Sequence, residues 1–417
     1  MNYSNPAKLA ILACPGGEAF ADKVIVHLKK VYHRSFDYVI NGLAKRYDMQ
    51  TEAVIQQVNF INDALSPPQH FHGKPTQCRP PHFKVPAKFT LFPNGEIKAE
   101  ILESIRGKNL YIVQDVENHC PVSFNGGDTK KVLSINDHLL TVFVAVDAAK
   151  QAGAETVTLV MPVYPYARQH KTKGREGLTA ARIGMILESL GVNRIITLDI
   201  HSREINNAFL NMRLENLHAS YQIIRALSRM PGIFDENKDD FVVVSPDTGA
   251  VDRNKFFASA LNKPLALLYK ERDYSKVTSD ALSNNITEIK LLGNVSGKTV
   301  FMADDMLGTG GTLLKAMRFL KEQGAGKVIC SVSLPLFSGD AIKYFDDAYR
   351  EGLFYKIIGT NAVSQGELLK REWYTSVNIT KLFARTIFRL HRGLSVSSLL
   401  DNRDVIVKLF QNPPDKG

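Results

Sequence analysis

At 417 residues, 44% of them hydrophobic and 23% charged, the chain exceeds one average domain and has enough apolar material for sizeable cores. No apolar run approaches the ~20 residues of a membrane-spanning helix, and Leu9–Cys14 is too short and too early for a secretory signal. Four cysteines, Cys14, Cys78, Cys120 and Cys330, stand too far apart for a disulfide framework or zinc ribbon, so a reducing cytoplasm is expected. The net charge of +10 suits nucleic acid or phosphorylated small molecules equally.

In chain order, the β-branched runs "KLAILAC", "NLYIVQ", "TVTLVMPV", "RIITLDI", "DFVVVS", "PLALLY", "KTVFMA" and "KVICSVS" read as strands. Between them, Ile135–Ala152, Leu178–Leu190 and Thr312–Gln323 carry apolar residues at helical spacing. Runs apolar on both faces alternating with helices predict an α/β protein with parallel sheets covered by helices. Two such units meeting near residue 205 account for residues 8 to about 360.

Two parts break this rhythm. Residues 31–88 predict two helices followed by "SPPQHFHGKPTQCRPPHFKVP", whose prolines favour a surface insertion. His70, His72, Cys78 and His82 within it match no zinc spacing. The tail from 365 predicts a helix at Ser395–Phe410 that serves packing or an oligomer contact. Between residues 91 and 97, "LFPNGEI" predicts a turn joining two strands.

The stretch "VFMADDMLGTGGTLLKAM", residues 300–317, joins two carboxylates to a glycine-rich loop. The strand is expected to end at Ala303, so that the acids and glycines sit at its carboxyl end, before a helix, where ligands bind in open α/β sheets. Leu307, Gly308, Thr309, Gly310, Gly311 and Thr312 read as a phosphate cradle of backbone N–H groups and hydroxyls. Asp304 and Asp305 repel a phosphate and need vicinal sugar hydroxyls or a metal instead. A phosphorylated ribose supplies both ends. "GNVSGKT", residues 293–299, is one residue short of a Walker A loop and precedes a strand, which argues against that role.

Other blocks are weaker alone. "YPYARQHKTKGREG" (164–177) is a basic loop after a strand, suited to closing over polyphosphate. "ITLDIHS" ends a strand with Asp199 and His201, and "VVSPDTGAVDR" places Asp247 just past another. A turn aspartate or a structural histidine explains each equally well. Lys270 and Arg272 in "LLYKERD" stand two apart, on one face of a strand.

Together, in this order, these blocks resemble the ribose-phosphate pyrophosphokinases, a family of the phosphoribosyltransferase fold. The resemblance implies two tandem phosphoribosyltransferase-like domains, 1–205 with the insertion and 206–364, then an extension at 365–417. It further implies transfer of diphosphate from MgATP to ribose 5-phosphate. By it, the loop Leu307–Thr312 with Asp304 and Asp305 holds ribose 5-phosphate, and His201 and Asp247 hold Mg2+. Arg168 and Gln169 bind ATP together with Phe92, Asn94 and Glu96 of a neighbouring subunit, whereas Lys270, Arg272, Lys171 and Arg175 serve catalysis. A homo-oligomer, dimer to hexamer, with shared active sites is implied, with neither nucleic acid nor membrane as partner. Gly308 stands where the family usually has an Asp, and the basic loop is one residue short with His170 in place of a common Asp. A non-catalytic regulatory paralogue and a nucleobase phosphoribosyltransferase are the alternatives.

Overall fold

A computed structural model describes residues 8–64, 73–172, 174–233, 240–272 and 286–400, together with 403, 405, 406 and 409. The side chains of 270–272 and 286–288 lie outside that description, as do His70 and His72. The strands are β1 Leu9–Ala13, β2 Ala87–Leu91, β3 Ile97–Ile101, β4 Asn109–Val113, β5 Val122–Phe124, β6 Thr129–Lys131, β7 Thr156–Val160 and β8 Arg194–Leu198. They continue with β9 Arg213–Leu217, β10 Phe241–Ser245, β11 Leu265–Arg272, β12 Ile286–Leu292, β13 Thr299–Leu307, β14 Val328–Pro335, β15 Lys356–Thr360 and β16 Tyr374–Val377.

Two large sheets carry the fold. The first has five strands in the order β1-β4-β7-β8-β9, all parallel. The second has seven, in the order β12-β11-β10-β13-β14-β15-β16. It is parallel except for β12, which pairs antiparallel with β11. Strands such as β10 and β14 are buried along their whole length, the consequence of helices lying on both faces of a parallel sheet. The expected α/β architecture is therefore present.

Sheet membership differs from the expected division at two places. β9 joins the first sheet although it lies past residue 205, and β16 joins the second although it lies past 364. Both are short strands without a continuous apolar run, so local pattern does not reveal them. The tail then returns to the first unit. Helix Thr380–His391 packs against helix Glu18–Tyr47 with Phe20 and Phe383 edge to face at 5.2 Å. Beyond it, Ser397–Leu400 is helical, and Ile406 and Leu409 are buried in the first core.

The insertion also begins differently. Helix Glu18–Tyr47 runs unbroken for 30 residues through position 31, so the first expected insertion helix continues the one that covers β1. Its far half packs Ile40 and Ala44 against Val54 of helix Thr51–Ala64, a small separate core. Helix Ile135–Gln151 starts with a capping box between Ser134 and Asp137, which satisfies N–H groups that have no intrahelical partner.

Candidate active site

β13 extends beyond its apolar run. Its ladder with β14 continues through Asp304↔Val332, Met306↔Leu334 and Leu307↔Pro335. Asp304 and Asp305 therefore lie inside the strand, and only 308–310 form the loop before helix Gly311–Glu322. The expected strand end at Ala303 is corrected: backbone pairing with β14 outweighs the charge of the two side chains. The loop is pinned where the Phe337 N–H donates to the Leu307 carbonyl (2.9 Å) and the Ser338 N–H to the Gly308 carbonyl (3.1 Å).

Gly310 has φ +76°, and a Cβ there would lie 2.3 Å from a ring carbon of Phe345. Only glycine meets both demands. No side chain caps the helix that follows, which leaves its first N–H groups for an anion. Thr309 is exposed, Thr312 half-buried and Gly311 buried.

The acids meet an imidazole from the other unit. Asp305 Oδ2 lies 2.6 Å from His201 Nδ1, with His201 just past β8. Asp305 Oδ1 accepts the Met306 N–H at 2.8 Å, and Asp304 Oδ1 accepts the Asp305 N–H at 2.8 Å. Burial, then the Asp305 charge and that of Asp247, push the Asp304 carboxyl up to about 7. For Asp305, burial is outweighed by the hydrogen bond from His201 and the charge of Arg253, which hold it below the usual carboxylate range. An ionised Asp305 accepts from Nδ1, so the ring is held through that nitrogen and Nε2 is the one left to face another partner.

Asp247 sits in the turn before helix Val251–Leu261, where its Oδ1 accepts the Ala250 N–H at 3.0 Å. Among the described residues no three His, Cys, Asp or Glu side chains form a metal cluster. Mg2+ does not require one, because it keeps water and substrate phosphates among its ligands. One imidazole and nearby carboxylates whose charges oppose one another are a donor set that fits it. The described Cys78 and His82 belong to no metal cluster either.

Sequence reading paired Asp199 with His201 at a strand end and missed what Asp199 does. It directly follows β8 with φ +41° and is buried. It accepts from Ser333 Oγ (2.5 Å), His218 Nδ1 (2.8 Å) and the Ala219 N–H (3.1 Å), and pairs with Arg253 at 3.3 Å. Ser333 lies on β14 and Arg253 on helix Val251–Leu261, so one carboxylate ties the two units together two residues before His201. Burial opposes its ionisation, but Arg253, His218 and Ser333 outweigh burial and hold its pKa low.

The basic loop between β7 and helix Thr179–Ser189 reaches the same place. Arg168 Nη1 lies 3.4 Å and Nη2 3.6 Å from where a Cβ on Gly308 would stand. The His170 ring packs edge-on against that of His201 at 5.2 Å. Lys171 pairs with Glu204 at 3.5 Å, both exposed, a contact worth little in water. The Gln169 N–H donates to the Tyr166 carbonyl at 2.8 Å, and Arg175 is exposed. A cavity of about 630 Å³ between the units is lined by Lys171, His201, His218, Arg253 and Asp304 among others.

One predicted group stands apart from this cluster. Phe92, Asn94 and Glu96 form the tip of the β2–β3 hairpin, with the Glu96 N–H donating to Asn94 Oδ1 at 3.2 Å and Phe92 42% exposed. None of the three lines the cavity. Lys270 and Arg272 lie on β11, where the register with β12 shifts between Glu271 and Arg272.

Residues 83–191 match the N-terminal domain of ribose phosphate pyrophosphokinase, and residues 212–357 match the phosphoribosyl transferase domain. Ribose-phosphate pyrophosphokinase 1 of Listeria innocua is 34% identical over 316 residues, which are 75% of this chain and 88% of that protein. The chain belongs to the ribose-phosphate pyrophosphokinase family. A second member, from Synechococcus elongatus, is 33% identical over 311 residues, covering 74% of this chain and 84% of that protein. The crystal structure of phosphoribosylpyrophosphate synthetase from Mycobacterium smegmatis shares the fold at a TM-score of 0.65 and 24% identity, covering 92% of this chain and 99% of that one. As a family member, the chain is an enzyme of phosphoribosyl pyrophosphate synthesis.

Proposed function

We propose that the chain transfers the β,γ-diphosphoryl group of ATP to the 1-hydroxyl of ribose 5-phosphate, releasing AMP. One observation carries this reading: a glycine-rich loop directly follows the strand that holds two acids, and one of those acids meets His201 of the other unit at 2.6 Å. The N–H groups of Gly308–Thr312 take the 5-phosphate, and Asp304 and Asp305 take the ribose hydroxyls. That holds the 1-hydroxyl in one orientation for attack. His201 and Asp247 hold Mg2+, which when bound neutralises charge on the triphosphate. Lys270, Arg272, Lys171 and Arg175 offset charge on the transferring group.

Arg168 and Gln169 flank the ATP site from the basic loop. Phe92, Asn94 and Glu96, exposed at a hairpin tip away from their own cavity, serve the adenine of a neighbouring subunit, which makes the working form a homo-oligomer. The cytoplasm is the compartment this chemistry suits.

An AMP-release assay with MgATP and ribose 5-phosphate tests the reading. Release of AMP with stoichiometric phosphoribosyl pyrophosphate supports it. Turnover only with phosphoribosyl pyrophosphate plus a nucleobase points to a phosphoribosyltransferase, and no turnover to a regulatory paralogue. In the active enzyme, Lys270→Ala lowers kcat far more than ribose 5-phosphate affinity; equal losses in both remove Lys270 from its catalytic role.

A further inference from the structure

Cations from three helices meet on one exposed face. Along helix Glu18–Tyr47, Lys23, His27, Lys30, Arg34 and Tyr38 recur one turn apart and form a single row. Helix Thr380–His391 packs against it through Phe20 and Phe383 and through a hydrogen bond from Arg392 Nη1 to Ser35 Oγ (3.1 Å), and carries Lys381, Arg385 and Arg389 in a second row. Helix Ser220–Ser228 adds Arg225. Lys30, Arg34, Arg225, Lys381 and Arg385 are all exposed. Burial, then the charges of Arg385, Arg34, Arg225 and Lys30, lower the Lys381 pKa, so the five share one neighbourhood.

No described residue answers this charge. Among the described residues none of the five forms an ion pair or a side-chain hydrogen bond. Helices Thr380–His391 and Ser220–Ser228 contain no Asp or Glu. On the first helix, Glu18 accepts the Gly16 N–H at 2.7 Å, Asp22 pairs with Lys84 at 2.6 Å, and Asp37 stands near Cys78. Like charges this close repel unless an anion lies over them.

The five line neither the cavity between the units nor the shallower one beside Arg350, whereas small ligands take concave sites. An open cationic face fits an extended polyanion. A second copy presenting the same face is repelled. A protein partner needs an apolar centre, but helices Thr380–His391 and Ser220–Ser228 expose no large apolar side chain among the described residues. Tyr38, 82% exposed at the end of the first row, favours a single strand over a duplex, because its ring offers an unpaired base a platform beside Arg34.

We propose that this face binds a single-stranded nucleic acid, with phosphates on Lys30, Arg34, Arg225, Lys381 and Arg385 and one base stacked on Tyr38. An anionic membrane surface offers the same charge but no base. The family resemblance implies no nucleic-acid partner, and this contact is independent of the reaction proposed above.

Fluorescence anisotropy of the full chain with labelled single-stranded RNA and DNA of arbitrary sequence, and with a DNA duplex, tests it. Both single strands bind, and the tighter of the two names the preferred one. Five phosphate contacts give a slope of log affinity on log salt of roughly −3 to −4 for a single strand. Lys30→Ala and Arg385→Ala each make that slope shallower by roughly 0.7 and leave AMP release at the wild-type rate. Tyr38→Ala weakens single-strand binding about tenfold while the slope and duplex binding stay as they were. Binding that a Lys30→Ala/Arg385→Ala protein keeps in full, or that saturating MgATP and ribose 5-phosphate displace, belongs to the cavity and overturns the inference. Preference for the duplex, tighter binding to phosphatidylserine vesicles than to any nucleic acid, or no measurable binding at low salt overturns it as well.

Discussion

The two sheets are built alike, parallel, buried and wrapped by helices, yet their carboxyl ends are unlike. The second sheet ends β13 in a loop of only 308–310, pinned by two backbone hydrogen bonds and a glycine locked against Phe345. The first sheet ends β7 in a longer stretch that is buried near the strand and exposed farther on, where Lys171 pairs with Glu204. A pinned loop can meet an anion without paying to be ordered, whereas the basic loop, proposed to take the nucleotide, presents its charges at the surface.

The comparison breaks most sharply at Gly310. Gly310→Ala places a Cβ 2.3 Å from Phe345 and is expected to weaken ribose 5-phosphate binding on the order of a hundredfold, with about 1–3 kcal/mol lost in stability from overpacking. Calorimetry and urea denaturation read the two effects; unchanged binding would mean that the loop is not the cradle. Next comes the carboxylate that joins the sheets. Asp199→Ala leaves Arg253 without its buried partner and is expected to cost about 3 kcal/mol, seen as a lower urea midpoint with an unchanged slope. A loss below 1 kcal/mol would show the sheets to be held together by other contacts.

On the side of the basic loop the effects are smaller. Lys171→Ala is expected to lower kcat about tenfold and leave the KM for ribose 5-phosphate near its original value, the signature of a contact made only in the transition state. If KM rises and kcat holds, Lys171 binds ground-state substrate instead.

The smallest effect concerns Asp115, past the end of β4, which accepts the Ser364 N–H at 2.9 Å and the Glu117 N–H at 3.1 Å. Burial pushes its carboxyl up to about 7, with those N–H groups opposing. The folded chain then holds a proton that the unfolded chain releases near its ordinary pKa of about 3.9. Its contribution is fully present below that value and lost as pH rises toward 7. Melting temperature is therefore expected to fall by a few degrees between about pH 5 and 8 on this account, and Asp115→Asn flattens that slope. An identical slope in the variant assigns the pH dependence elsewhere.

Much of this was legible without coordinates. β10 and β14 are continuous apolar runs, and helices Ile135–Gln151, Thr179–Ser189 and Gly311–Glu322 stand within a residue or two of where periodicity places them. The acids and glycines of 304–312 marked a candidate site by composition. Three things were not legible. β13 runs on to Leu307 because β14 offers it partners, and β9 and β16 exist because a neighbouring strand does. Asp199 gathers groups from 19 to 134 residues away, and Arg168 meets Gly308 across the cleft between the units.

By itself, the order of residues determined the alternation of strand and helix and the presence of a glycine-rich loop beside two acids, because side-chain size, branching and backbone freedom act over a few neighbours. Only the tertiary structure decided which charges face one another: His201 on Asp305, Arg253 on Asp199, Arg168 over Gly308. Those pairings follow from how two sheets pack, and Coulomb attraction and desolvation depend on distances in space that spacing along the chain does not encode.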